Sequence, residues 1–275
     1  MADYPALEIS FHASSDPYLR DRLYAQLDDF SPIAIHEDEA ADRWRVFFRS
    51  ASSRDAARAA LAADASIDTS PIEVPDEDWA RRSQNSLKAI DAGGLIIAPP
   101  WDVPTGKPVI VIEPSMGFGT GHHATTRLCL LLLQQLELRR ARVLDIGTGS
   151  GVLALAAWKL GAADVVAIDN DPDALDNARD NIARNGAAAA IDIIQDDLGG
   201  LRIQRADIVL ANLTGAVLVR YAAELRSLAL GGGYFILSGF APEDVAVIRT
   251  AFAGLTLIEE KAEGEWAALC LQIAP

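Results

Sequence analysis

Basic charge is what this chain lacks. Of its 275 residues only 24 are Lys or Arg, four of them Lys, against 39 Asp or Glu, so the net charge is −15 at pH 7. Such a surface repels phosphate backbones and excludes a sequence-independent grip on DNA or RNA; a basic protein or a small cation is steered toward it instead. Cysteine is scarce too. Cys129 and Cys270 lie far apart inside apolar stretches, which excludes a disulfide framework or a zinc spacing and reads as two reduced core thiols. The start, Met1-Ala2-Asp3-Tyr4-Pro5, has no positive region followed by an apolar run, and the longest oily stretch near it is far too short to span a bilayer. A cytoplasmic monomer with neither a membrane nor a direct nucleic-acid partner is the expectation. The remainder, 50% apolar and 23% charged, is ordinary globular composition.

At roughly 150 residues per domain, the length suggests one large domain with a small companion. Residues 6–74 read as a strand (Leu7, Ile9, Phe11), a helix over 16–29, strands over 32–36 and 43–48, a helix over 53–63 and a last strand near Ile72. That order, βαββαβ, suits a small ferredoxin-like α+β unit, a fold that identifies no function by itself. Residues 1–100 hold 18 acidic and 10 basic side chains, a net of −8, while the other 175 residues net −7. The denser charge fits a module that touches a basic partner, and a merely solvated surface explains it as simply. Asp76, Glu77 and Asp78 suit the positive end of a connecting helix that Gly93 and Gly94 break. The expected division is a substrate-recognition domain over 1–75, a linker helix over 76–95 and a catalytic domain over 96–275.

The second part alternates strands (142–146, 164–169, 191–195, 207–212, 234–238) with helices (152–160, 172–185, 216–229, 242–252). This predicts a doubly wound, mostly parallel α/β sheet of Rossmann-like type, with ligands at the carboxyl ends of its strands. Two final strands, near 255–259 and 267–273, are separated only by a turn at Glu263-Gly264 and predict an appended antiparallel hairpin.

The first strand of that set runs into Asp145-Ile146-Gly147-Thr148-Gly149-Ser150-Gly151 and then a helix. Glycines in a strand-to-helix turn let backbone approach a ligand, and the helix start offers unpaired N–H groups. The spacing is Gly-x-Gly-x-Gly, not the dinucleotide fingerprint, and Asp145 would repel a pyrophosphate while attracting an ammonium such as the one S-adenosylmethionine carries. Asp169 closes the next strand 22 residues beyond Gly147, the separation at which a carboxylate reaches ribose hydroxyls; Asp171, directly before Pro172, suits a helix cap better. Asp196 and Asp197 close the third strand and are either adenine contacts or surface acids. Upstream, Phe118-Gly119-Thr120-Gly121-His122-His123-Ala124-Thr125-Thr126 leads into an oily helix. Adjacent histidines point apart, which argues against a metal, and the Gly-Thr-Gly turn before Thr125-Thr126 instead supplies backbone and hydroxyl donors for a ligand carboxylate.

Together these motifs make the sequence resemble the ribosomal protein L11 methyltransferases, class I S-adenosylmethionine-dependent enzymes. The resemblance covers nearly the whole chain and includes Asp76-Glu77-Asp78-Trp79 with Pro99-Pro100-Trp101, the long Phe118 to Thr126 string, the 145–151 loop, Ile168-Asp169, Val209-Leu210-Ala211-Asn212 and Leu237-Ser238-Gly239. It implies cofactor contacts at Thr126, Gly147, Asp169 and Asn212, with Phe118 and Thr120 nearby; the glycine turns and strand-end acids read above add Gly119, Asp145, Gly149, Gly151 and Asp197 to the candidate cofactor-binding set. It also implies a basic ribosomal protein, L11, as partner and no metal. Glu113, Ser115, Gly117 and Ala124 depart from the commoner family residues and touch loop shape more than ligand chemistry.

Asn212, ending its strand, is the candidate catalytic residue, since its side-chain oxygen can accept an N–H bond from an amine. Asn212-Leu213-Thr214-Gly215 has no stacking aromatic for a planar amide or base, so an aliphatic amine is the better substrate. Protein-lysine methylation is the reading. A class I enzyme for another protein or small amine, and a non-catalytic cofactor-binding regulator, are the alternatives.

Overall fold

The computed structural model describes residues 3–12, 19–28, 30, 32–38, 42–62, 64–75, 87–114 and 123–274. They form two compact units, Met1–Leu87 and Lys88–Pro275. In the first, β1 (Asp3–Phe11), α1 (Leu19–Asp28), β2 (Ala34–Asp38), β3 (Arg43–Phe47), α2 (Ala51–Leu61) and β4 (Ile67–Pro75) follow the βαββαβ order read from the sequence. The sheet order β2-β3-β1-β4, antiparallel at every pairing, is the ferredoxin-like one. Period-two alternation places Leu7 and Ile9 of β1 with Trp44 and Val46 of β3, and helical spacing adds Leu23 and Leu27 from α1 to the same core. Helix α2 starts two residues earlier than expected because Ser50 caps it, its Oγ accepting the Ser53 N–H at 3.1 Å.

In the second unit the expected linker helix over 76–95 needs correction. Residues 76–86 lie outside the described residues, and the chain beyond them is strand: β5 (Ile90–Ala92) and β6 (Leu95–Ala98) pair antiparallel across Gly93-Gly94, and β7 (Val109–Val111) joins β6 in parallel. Gly93, expected to break a helix, is a hairpin turn residue with φ +80°.

Next come α3 (Ala124–Leu133), β8 (Arg142–Ile146), α4 (Val152–Lys159), β9 (Asp164–Asp169), α5 (Pro172–Arg184), β10 (Ile191–Gln195) and β11 (Ala206–Asn212). The chain ends with α6 (Gly215–Arg220), α7 (Ala222–Ser227), β12 (Ala229–Phe240), a 3₁₀ turn at Pro242–Asp244, α8 (Val245–Ala251), β13 (Thr256–Glu263) and β14 (Trp266–Gln272). Seven strands form one sheet in the order β10-β9-β8-β11-β12-β14-β13. The first five are parallel, and β14 runs antiparallel between β12 and β13. The predicted C-terminal hairpin is therefore present, with its second strand inserted next to β12.

Helices cover both faces, which is why the strands are nearly continuous apolar runs. Alternate residues feed two cores: Val143, Val165, Ile208, Leu210 and Ile236 on one side, and Leu144, Val166, Val209, Phe235 and Leu237 on the other. Cys129 and Cys270 sit in the first of these as free, buried thiols. Burial pushes the Cys270 thiol up to about 11, and the same cause raises Cys129, so neither is a thiolate at neutral pH. Among the described residues no helix is long and apolar enough to cross a membrane.

Candidate active site

Parallel strands bring their carboxyl ends to one edge of the sheet, so the turns after β8, β9, β10 and β11 gather there although they are distant in sequence. The turn after β8 is built from three glycines in the left-handed region, Gly147 (φ +69°), Gly149 (φ +53°) and Gly151 (φ +81°). It is pinned to the neighbouring strand by the N–H groups of Gly147 and Thr148, which donate to the Ile168 carbonyl at 2.8 and 2.9 Å. A Cβ on Gly147 would overlap Leu213 Cδ2 in the turn after β11. Together with the left-handed φ this favours glycine there, although the Leu213 side chain could turn aside.

Asp169 is half-buried at the end of β9. Its Oδ2 accepts the Gly149 N–H at 2.9 Å and its Oδ1 the Asp171 N–H at 3.1 Å, so the carboxylate is held in place by both turns and each oxygen retains a lone pair for a hydroxyl. Asp171 is the cap of α5, as expected, accepting from Asp173 N at 2.9 Å with Pro172 in the first turn. Beyond β10, Asp196 donates its N–H to the Asp169 carbonyl at 3.1 Å, and Asp197, exposed, accepts the Gly199 N–H at 2.8 Å. Both acids thus lie in the turn beside Asp169.

Asp145 departs from the reading of an open carboxylate for a ligand ammonium. It is 1% exposed, and its Oδ2 accepts from Thr148 Oγ1 at 2.6 Å and Ala154 N at 3.1 Å. Burial pushes its carboxyl up to about 6, with the Asp169 charge adding to that and the two hydrogen bonds opposing it. What it does here is fasten the loop, through Thr148 and the first turn of α4.

On the other side of the loop, α3 opens with His123 as its cap, and Thr125 and Thr126 are buried in the first turn. The amide nitrogen of Asn212 donates to Thr125 Oγ1 at 3.2 Å and to Thr126 Oγ1 at 3.5 Å. Both Nδ2 hydrogens are thereby committed, and Oδ1 is the end of the amide left to accept. Phe118, Gly119 and Thr120 lie outside the described residues. Sequence reasoning offered the Thr125-Thr126 doublet as hydroxyl donors and named only Thr126 as a cofactor contact; the Thr125 link to Asn212 and the capping role of His123 were not foreseen.

The donor set fits the cofactor expected from the sequence. Acids line the strand ends where a dinucleotide would put its pyrophosphate, and a held carboxylate with spare lone pairs stands where ribose hydroxyls need one. The sheet order, the inserted antiparallel strand and a site at the carboxyl ends define a class I methyltransferase. The family model of ribosomal protein L11 methyltransferase (PrmA) matches residues 32–273, and the chain belongs to that family. Ribosomal protein L11 methyltransferases are 40% identical over 206 residues in Pelotomaculum thermopropionicum (73% of this chain, 67% of that protein) and 43% identical over 203 residues in Geobacter metallireducens (72% and 67%). The crystal structure of ribosomal protein L11 methylase from Lactobacillus delbrueckii subsp. bulgaricus is 28% identical with a TM-score of 0.64, covering 69% of this chain and 100% of that one.

Proposed function

We propose that this methyltransferase moves methyl groups from S-adenosylmethionine to amines of ribosomal protein L11, lysine side chains foremost, and that the Met1–Leu87 unit recruits that basic protein. The observation that carries the reading is the Asn212 amide, whose nitrogen is tied to two buried hydroxyls, leaving its oxygen as the end that can accept an amine N–H. Asp169 would hold the ribose, the Gly147 to Gly151 backbone the methionyl end, Thr126 and the Phe118-Gly119-Thr120 segment its carboxylate side, and Asp197 or Asp196 the adenine amino group. When bound, S-adenosylmethionine supplies an electrophilic methyl group on a sulfonium centre.

The remaining work falls on the chain's own residues. A lysine amine with a reference pKa near 10.4 must lose its proton before it can attack, at a cost of about 4.6 kcal/mol at pH 7. Desolvation at the strand ends lowers that cost, because an apolar surround disfavours the ammonium. Asn212 Oδ1 then orients the neutral amine through one N–H bond without a charge that would restore the proton. Incubation with labelled S-adenosylmethionine and purified ribosomal protein L11 tests the reading. Label on L11 is expected; label on a different lysate protein with none on L11 would replace the substrate.

A further inference from the structure

The hydrogen bonds around Thr125 have a direction. Two groups of Thr125 converge on His123 Nδ1: the backbone N–H, which donates at 3.4 Å, and the hydroxyl oxygen, 2.8 Å away. A backbone N–H can only donate, so Nδ1 is the unprotonated nitrogen of the ring. Because Nδ1 is unprotonated, the Thr125 hydroxyl is the donor in the 2.8 Å contact, and its oxygen keeps a lone pair that receives Asn212 Nδ2 at 3.2 Å. The chain of bonds therefore runs from Asn212 to Thr125 to His123, and its polarity is set at the imidazole end.

We propose that His123 is a positioning residue for the methyl transfer, acting through Thr125: its bare Nδ1 takes the Thr125 hydroxyl proton, which keeps Thr125 an acceptor for Asn212 and so keeps Asn212 Oδ1, not Nδ2, turned to the incoming amine. This rests on the reading of Asn212 as the amine's acceptor. The imidazole is itself fixed. Trp266 of β14 packs on it edge to face, with centroids 4.7 Å apart, and Glu263 at the end of β13 grips Arg127 of α3 through both carboxylate oxygens. Burial, and then the Arg127 charge one turn along, hold the ring's pKa below its ordinary value, which keeps it neutral at pH 7. Were the relay reversed, the amide would present N–H to an amine that also needs to donate, and the two would repel.

The test uses the full chain. In the ligand-free protein, ¹⁵N spectra of the His123 ring should show Nδ1 unprotonated and Nε2 protonated. In Thr125→Val, nearly the same shape without the hydroxyl, Nδ1 should stay unprotonated, because the backbone N–H that sets it remains, and the Asn212 side-chain amide signals should shift. With S-adenosylmethionine and ribosomal protein L11, Thr125→Val and His123→Leu should each lower kcat by at least roughly tenfold with cofactor KM changed less than about twofold, as a mispositioned group does. Thr125→Ser and His123→Asn, which restore a hydroxyl and a capping acceptor, should recover most of the rate. A ring protonated at Nδ1, Asn212 signals indifferent to Thr125→Val, or unchanged kcat in the variants would overturn the relay. If the wild-type chain leaves L11 unlabelled while the spectra behave as described, the substrate reading fails and the relay stands.

Discussion

Asp145 and Asp169 carry the same carboxyl group at the ends of adjacent strands, and their surroundings give them opposite tasks. Asp169 meets two backbone N–H donors and solvent, so it serves as a held acceptor. Asp169→Ala removes that acceptor from the ribose position and from Gly149, and the affinity for S-adenosylhomocysteine should fall by one to a few kcal/mol, on the order of a charged hydrogen bond. Titration calorimetry showing unchanged affinity would place the cofactor elsewhere. Asp145 is buried with its carboxyl raised to about 6, above the ordinary 3.8. For an acid shifted upward, the stability is present below the unfolded value and is lost as pH rises through the folded one. Asp145→Asn carries no such charge, so between pH 5 and pH 8 its stability should improve relative to wild type by about 1.4 kcal/mol. Urea unfolding at both pH values reads the difference, and a constant gap would mean that Asp145 ionises freely.

Elements show where a site depends on backbone alone. Gly239, near the end of β12, takes φ +97°, and a Cβ there would run into the Leu213 carbonyl oxygen and lie 2.7 Å from its carbonyl carbon. The obstacle is main chain immediately after Asn212, which has no rotamer to give way. Gly239→Ala should therefore cost about 3 kcal/mol or more in urea unfolding and displace Asn212, whereas Gly264→Ala, at the hairpin tip with nothing within 4 Å, should cost only the left-handed penalty of about 1 kcal/mol. Equal losses in the two variants would refute the clash. The parallel strands β8, β9 and β10 were legible to the residue: β8 and β9, buried on both faces, are apolar runs that stop at Gly or Asp, and β10, a half-exposed edge strand, is an Ile-rich stretch that stops before Asp196. The short strands β5, β6 and β7 were not, since three or four residues among Pro99, Pro100, Pro104 and Pro108 show no period. The helix expected over 216–229 is two, broken at Tyr221; Leu218, Ala222 and Leu225 keep one buried face across the break, so the pattern could not reveal it. In the site, the glycine loop and Asp169 were readable from local spacing. The bond from Asn212 to Thr125 spans 87 residues and exists only because β11 ends beside α3.

Across the whole molecule, negative charge is unevenly spread between the two units. Residues 1–87 hold 17 acidic and 9 basic side chains, and residues 88–275 hold 22 and 15, so the smaller unit nets −8 and the larger, twice its length, −7. The described residues of the proposed cofactor site lie in the larger unit, while the denser negative charge belongs to the smaller one, which has a core of its own around Leu7, Trp44 and Leu61. If that charge recruits a basic protein, its effect lies in encounter and not in chemistry. Steering of this kind raises association rates and collapses as added salt shortens the Debye length from about 10 Å at 0.1 M to about 3 Å at 1 M. For ribosomal protein L11, kcat/KM should thus fall roughly tenfold between about 0.05 M and 0.5 M salt, with kcat at saturating substrate nearly constant. If hydrogen bonds to Asp169 and the glycine loop hold the cofactor as proposed, its affinity should stay steady over the same range. A kcat/KM indifferent to salt would mean that the acidic unit is only a solvated surface, and a fall confined to kcat would locate the salt effect in the site itself.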